Sequence, residues 1–513
     1  MKKKLSALLS LVLACGMTFG MTACGGGGEN PNTETDLEIF YWDSGNGSAW
    51  LDRTIDAFEK KYPEVNVVKN YRETNETWGN ELPNPGINTI DLYINTAPTL
   101  LAYSEYLEPL NDVLKEKDEN GTKLIDKMDA SLLKGVTAPD GNIYATNWAG
   151  GVCGLVYNKT VFKKEGYKVP RTTDELADLA ADMVDDEYTP FIFPGNADYW
   201  IYCYLPWAAQ YGGIDEINDF WKSQYNGEIS KDAFLTDARK EALMALEDVA
   251  GPKGYTYKSS NAINHTTAQT QFLQGVGLMM PNGSWLENEM RNTSSKVEME
   301  FMKTPIISAL ADKLEINEKI LREVVSYVDS EDYAKGKLDE SSKEYSASRV
   351  KAALDKEADN PNWKIEAVAA ARKIVYTEAP SNKCYIPNYA NAKEWAKEFI
   401  KFMNTEEGLA CCYETLQTPM LTKVSTPVDT SDWSGFMKSA LALTQGTEFV
   451  YRAKGSPFFY NNGLEFYPAE PQKTILAANS EDKLTAEQFW NTKCVKTYND
   501  NWKIWFERSG LDK

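Results

Sequence analysis

One histidine, His265, stands in a chain of 513 residues. A single imidazole cannot build an H-E-x-x-H zinc site or any other multi-histidine metal site. A Ser-His-Asp triad would have to use His265, and no G-x-S-x-G elbow supplies its serine. Neither a Walker A sequence nor G-x-G-x-x-G occurs, so nucleotides find no phosphate cradle. Positive charge is also short: 54 Lys and Arg face 75 Asp and Glu, a net charge of -21. Such a chain repels nucleic acid and anionic lipid, so neither is expected as an electrostatic partner. The eight cysteines include no C-x-x-C pair, which argues against a zinc knuckle or a thioredoxin-type centre. Six of them, Cys153, Cys203, Cys384, Cys411, Cys412 and Cys494, are sparse and irregular and read as buried thiols. Beyond the N-terminus no stretch approaches 18 consecutive apolar residues, the minimum for a membrane helix. No cofactor and no metal are expected. Glu116-x-Asp118-x-Asn120-Gly121 imitates the start of an EF-hand loop, but Lys127 occupies the twelfth position, where a bidentate Glu belongs. Three S-x-x-K sequences, at Ser131, Ser348 and Ser480, lack companion motifs. Glycosidase chemistry survives these exclusions, because it needs only two carboxylates.

What is present begins at the N-terminus. Lys2, Lys3 and Lys4 precede an apolar run from Leu5 to Phe19, the length of a secretory h-region rather than a membrane span. Met21-Thr22-Ala23-Cys24 resembles the lipobox of bacterial lipoproteins, and Gly25 to Gly28 follow it as a flexible tether. The resemblance implies a signal peptide over 1–23, lipidation of Cys24 and a tether over 24–35. Acyl chains on Cys24 would hold the protein at the membrane's outer face. The remainder, about 490 residues, is too long for one hydrophobic core and implies two domains.

Strands and helices alternate through the first third. "LEIFYW" (37–42) is a short strand, "SGNGS" breaks it, and Ser48 is placed to cap a helix. Leu51, Ile55, Phe58 and Tyr62 share one face of that helix, which Pro63 stops. "VNVV" (65–68) and "TIDLYI" (89–94) are further strands, and strands separated by helices predict parallel-rich sheets covered by helices. "NIYAT" and "CGLVYN" flank Trp148, and Thr172-x-x-Glu175 reads as a capping box. "VGLMM" is an apolar strand, with Pro281-Asn282-Gly283-Ser284 read as a turn beyond it. In the helix "NAKEWAKEFIKFMN", Trp395 is assigned to the core face. Residues 308–382 are charged and alanine-rich and read as an inserted helical segment, with Leu321, Val324, Val325 and Val328 on one face.

These pieces, in order, resemble the family 1 extracellular solute-binding proteins, the sugar-binding lipoproteins of bacterial ABC importers. The resemblance is carried by "LEIFYWDSGNGSAWLDRTIDAFEKKYPEVNV", "TIDLYI", "DGNIYATNWAGGVCGLVYNKTVFKKEGYKVPRTTDEL", "FLQGVGLMMPNGSWL" and "NAKEWAKEFIKFMNTEEG". It covers about residues 36–305 and 384–421; Thr89-Ile90 departs from it by lacking the family's proline. It implies an α/β fold of two lobes with a ligand cleft between them, and no catalysis. The expected division gives 36–148 and 306–420 to the first lobe, including the insertion, and 149–305 and 421–513 to the second. Crossing segments are expected near Ala149–Val152, Met302–Pro305 and Gln417–Leu421. The implied partners are a carbohydrate and the permease of an importer whose ATPase is another chain. A pyranose offers apolar faces to aromatic rings and hydroxyls to Asp, Asn and Gln, and buried hydroxyls need partners. Candidates for these contacts are Trp42, Asp43, Trp148, Tyr199, Trp200, Asn282 and Trp285, with Asn46 and Asn147 beside them. A surface glycoside hydrolase using two carboxylates, and a surface adhesin, are the competing readings.

Overall fold

In the computed structural model the described residues are 36–42, 45–72, 81–96, 103–138, 140–148, 151–222, 230–379, 383–425, 427–452, 457–478 and 481–510. The lipobox, Cys24 and Asp43 lie outside them. Ten strands fall within the described residues: β1 (Asp36–Trp42), β2 (Asn66–Arg72), β3 (Leu92–Thr96), β4 (Thr146–Asn147), β5 (Val152–Asn158), β6 (Met279–Gly283), β7 (Met299–Phe301), β8 (Ile374–Thr377), β9 (Lys383–Tyr385) and β10 (Glu448–Val450). They form two sheets, ordered β2-β1-β3-β9-β4 and β10-β8-β5-β6, with β7 also paired to β5.

The first sheet opens as the sequence predicts. β1 pairs in parallel with β2 and β3, joined to β2 by the helix Ala49–Lys61. That helix buries Leu51, Ile55 and Phe58, the face predicted from their spacing, and Ser48 sits at its N-cap position without a side-chain cap bond. β9 and β4 are antiparallel additions, and in the second sheet only β10 with β8 is parallel among the named pairs. The sheets are therefore mixed rather than parallel-rich. The reason is the chain path: β4, β5, β8 and β9 belong to segments that run between sheets instead of closing βαβ units.

β5 shows why its sequence reads as a continuous apolar run. All seven of its residues are buried. Cys153, Leu155 and Tyr157 join the apolar cluster of Trp200, Trp207 and Tyr376, while Val152 and Val156 face a second cluster with Met280, Val375 and Phe449. A strand covered on both faces has no polar side to alternate with.

The described part of 308–382, which runs to 379, packs on the second sheet rather than the first. Leu321, Val324 and Val325 are fully buried in the cluster of Trp207 and Tyr376 on the second sheet, with Val328 at its margin. Their apolar face needed a partner, and the helix Ile201–Gly212, almost wholly buried, lies beneath this region. The segment ends in β8, a strand of the second sheet. Nor does the chain cross at Met302–Pro305: the Met302 amide donates to the Leu155 carbonyl, and the Pro305 carbonyl accepts from the Trp207 indole. A crossing lies between β8 and β9 in place of Met302–Pro305, and the others lie between β4 and β5 and after the helix Glu406–Leu416, where Gln417 takes a left-handed φ of 48°.

Smaller expectations also change. Thr172 stands at the N-cap of Thr173–Asp185 but bonds to Asp174, and Glu175 pairs with Arg171, so the capping box does not close. Trp395 flanks the core, edge-on to Tyr62 at 5.6 Å, rather than lying within it. The six cysteines described are all buried and free, as their spacing suggested.

Candidate functional site

Two crossing segments run side by side. β5 and β8 pair through Val152 and Thr377; the Glu378 amide then donates to the Gly151 carbonyl, and β4 and β9 pair through Asn147 and Lys383. Side chains of both lobes converge on this seam. The first lobe's loop after β1 meets the second lobe closely: a Cβ on Gly45 would lie 2.5 Å from Glu289, and one on Gly47 would lie 3.3 Å from Arg291. On another part of the seam a Cβ on Gly135 would lie 2.8 Å from the Tyr451 hydroxyl.

Two partly buried rings, Trp285 and Tyr199, form one wall, with the buried rings of Tyr202 and Tyr376 behind them. Trp285 lies partly buried over two glycines, with no room for a Cβ at Gly283 and little at Gly151. Its ring stands edge-on to Tyr202 at 6.2 Å; Tyr202 in turn meets Tyr199 at 5.1 Å and Tyr376 at 4.9 Å. Tyr199 and Tyr202 come from the start of the helix Ile201–Gly212 and the turn before it, Tyr376 from β8.

Charged groups lie beside this wall. The Tyr376 hydroxyl donates to Glu378 at 2.8 Å, and Arg452 Nε is 3.8 Å from the same carboxylate. Arg452 Nη2 also donates to the Asp198 carbonyl at 3.0 Å, while the Asp198 carboxylate accepts from Tyr204. Burial pushes the Asp198 carboxyl up to about 6, against the pull of Arg452 and the Tyr204 hydrogen bond. Burial opposes the Arg452 cation, but Tyr376, Glu378 and Asp198 hold its proton more firmly than usual. Glu289, hydrogen-bonded to Gln269 at 2.6 Å, is shifted upward by burial. Burial lowers the Lys383 ammonium to about 8, with Glu378 opposing the shift. Among the described residues no group of three His, Cys, Asp or Glu side chains is placed to hold a metal ion.

The seven candidate contact residues separate. Trp285 and Tyr199 stand at this wall, and Trp42 ends β1, partly buried. Trp200 does not reach it: the ring is fully buried between Phe191 and Phe193. Asn282 is fully buried too, because Pro281, Asn282 and Gly283 are strand residues of β6 opposite β5, not a turn. Trp148 is 4% exposed and stacks on Trp50, centroids 4.0 Å apart and rings 12° from parallel. That stack covers one ring face, and Tyr41 lies edge-on at 6.4 Å, so stacking on a solute is not what this placement offers. Trp148 instead presents an unpartnered indole N–H, beside an Asn147 carboxamide whose oxygen and nitrogen are both unpartnered. The two residues border a cavity of ≈ 10 Å³ with Met128, Asp129, Leu132, Leu421 and Thr422, room for one oxygen-sized atom.

Glu378, Lys383, Arg452, Tyr202 and Tyr376 were absent from the sequence-based candidates. The rule that selected Trp42, side chains just past a strand's carboxyl end, applies equally to Glu378 after "IVYT" and Arg452 after "EFVY". Glu378 escapes it in the sequence because 308–382 reads as a helical segment, which hides the strand "IVYT".

Two sheets flanked by helices, joined by crossing segments with a polar and aromatic seam between them, define a two-lobe α/β binding protein. The chain matches the model of the bacterial extracellular solute-binding protein family over residues 53–317, more than half of its 513 residues, and belongs to that family. It is 29% identical over 160 residues to the Multiple sugar-binding protein of Streptococcus mutans, covering 31% of this chain and 37% of that one. It is 25% identical over 242 residues to the Diacetylchitobiose binding protein NgcE of Streptomyces coelicolor, covering 46% and 50%. The chain thus spans half or less of the length of these two relatives. Apo RafE from Streptococcus pneumoniae shares the fold at TM-score 0.58 and 17% identity, over 91% of this chain and 98% of that one. A chitin oligosaccharide binding protein does so at 0.56 and 17%, over 88% and 95%. Among the described residues no helix is long and apolar enough to cross a membrane.

Proposed function

We propose that this chain is a receptor that captures a carbohydrate in the seam between its lobes and delivers it to the permease of an ABC importer. The observation that carries the reading is the pair of partly buried rings at the crossing segments, Trp285 and Tyr199, backed by the buried rings of Tyr202 and Tyr376. Rings of this kind cover the apolar face of a pyranose, and the carboxylates and amides beside them suit its hydroxyls. The names of the relatives lend support: a multiple sugar-binding protein, a diacetylchitobiose binding protein, and an ABC transporter extracellular-binding protein of Pyrococcus horikoshii matched over 60% of this chain. In this reading the protein binds without catalysis, and closure of the lobes about the crossing segments encloses the sugar. Cys24 carries the lipid that keeps the receptor at the outer face of the membrane.

Titration calorimetry against a panel of mono- and oligosaccharides tests the proposal, with each sugar recovered afterwards and analysed. Saturable binding with the sugar returned intact is the expected result. Cleavage of a glycosidic bond would make the protein a hydrolase, and absence of binding across the panel would remove the carbohydrate reading.

A further inference from the structure

Lys383 is the unmatched charge of the seam. It begins β9 with 9% of its surface exposed. Among the described residues no hydrogen bond or ion pair reaches its ammonium group; its one electrostatic influence is Glu378, which is itself bonded to Tyr376 and beside Arg452. Among the described residues, the other buried charges named above have partners. Arg452 lies near Glu378 and Asp198, Asp198 accepts from Tyr204, and Glu289 is hydrogen-bonded to Gln269. A cation withdrawn from water without a partner raises the free energy of the protein that holds it. Elsewhere the chain avoids this: the buried Lys127 ammonium reaches Asp118 at 2.9 Å, the Asn404 carbonyl at 2.8 Å and Glu406 at 3.2 Å.

The neighbour of Lys383 is also unmatched. Asn147 pairs with it in register across β4 and β9, so both side chains leave the same face of the sheet about 5 Å apart. The Asn147 carboxamide has no partner at either end, and the adjacent Trp148 indole N–H has none. One cation and two neutral N–H donors therefore gather where the first lobe hands the chain to the second.

We propose that the solute is an acidic sugar, and that its carboxylate is taken by the Lys383 ammonium beside the Asn147 carboxamide. The inference rests on the carbohydrate reading above and narrows its substrate class. A carboxylate has two oxygens, one for the ammonium and one for an amide or indole N–H, which is the donor set present. A neutral hydroxyl could satisfy Asn147 but would leave the ammonium uncompensated as the lobes exclude water. A phosphate dianion fits less well, because Lys383 offers one ammonium charge and Glu378 lies in its field. The sugar ring would extend from this point toward Trp285, whose ring packs over Gly151 between the two crossing segments.

The test is calorimetric titration of the full chain with di- and trigalacturonic acid, their methyl esters, and the neutral galactose oligomers of equal length. The expected result is that the acids bind at least tenfold more tightly than esters or neutral sugars. Lys383→Met should remove about tenfold to a hundredfold of the affinity for the acids, the worth of a charge-assisted hydrogen bond, and leave the esters unchanged. Lys383→Arg should keep most of the preference, which a merely structural lysine would not require. Melting temperatures check folding, and Lys383→Met orphans no partner and should not lower them. Neutral sugars binding as well as acids, with Lys383→Met indifferent to both, would overturn the acidic-sugar inference and leave the carbohydrate receptor standing. Failure of every sugar to bind would overturn the receptor reading and this inference with it.

Discussion

Trp285 rests on a floor of two glycines, so the site can be perturbed without touching any residue that would meet a solute. A Cβ on Gly283 would fall 2.2 Å from Trp285 Cζ3 and 2.3 Å from Cη2. Carbon atoms pack at about 3.5 to 4.0 Å, so Gly283→Ala must displace the indole by more than about 1 Å. The backbone of β6 accepts alanine there, since Gly283 has an ordinary negative φ and pairs regularly with Cys153. The fold should therefore survive, with an overpacking cost of about 1 to 3 kcal/mol seen as a lowered melting temperature. If the ring covers a sugar face, the displacement removes most of a binding hot spot, about 2 kcal/mol or roughly 30-fold in Kd. Trp285→Ala should lose a similar amount. The double variant should lose no more than Trp285→Ala alone, because the methyl then has no ring to displace. Calorimetric titration with a sugar bound by the wild type supplies the affinities, and near-ultraviolet circular dichroism reports the indole's new environment. Unchanged affinity in Gly283→Ala, with the dichroism altered, would show that the ring moves without consequence and is not a sugar platform. Additive losses in the double variant would show that Gly283 acts by another route.

Lys127→Met should cost about 3 kcal/mol in urea unfolding, because it strands the buried Asp118 carboxylate, and adding Asp118→Asn should recover much of the loss. Burial works against ionised Asp118, but the Lys127 ammonium and the Thr122 and Asn120 amides hold its carboxyl below the usual range. Its contribution is therefore complete above the unfolded carboxylate value of about 4 and is lost as the pH falls through the lower folded value, a slope that the double variant should lack. Cys24→Ala should abolish fatty-acid labelling and release the protein from membranes; equal label in the variant would move the lipid elsewhere. Small-angle scattering should show a smaller radius of gyration with bound sugar, and Gly135→Phe, which drives a ring into Tyr451, should prevent the decrease. An unchanged radius in the wild type would count against closure.

Local rules reached a good part of this molecule because the determinants were local. The helix Ala49–Lys61 buries the residues that its spacing selects, and β1 and β5 occur where short runs of β-formers end in breakers. The ordered segments around them resemble one family over most of the chain, and the fold and family follow from that order. Where a side chain points across a sheet is not local. "VGLMMPNG" reads as a strand and a turn, yet pairing with β5 extends the strand through Gly283 and buries Asn282. Trp148 and Trp200 carry the rings a sugar site needs, but Trp50, Phe191 and Phe193, brought up by other elements, enclose them. Residues 308–382 announce an amphipathic face without saying which core it covers; only packing against the second sheet decides that. The pairing of Lys383 with Asn147 joins positions 236 residues apart, through strands of three and two residues that no periodicity reveals. Burial turns that lysine from a surface charge into an unmatched one, and burial is a property of the assembled lobes.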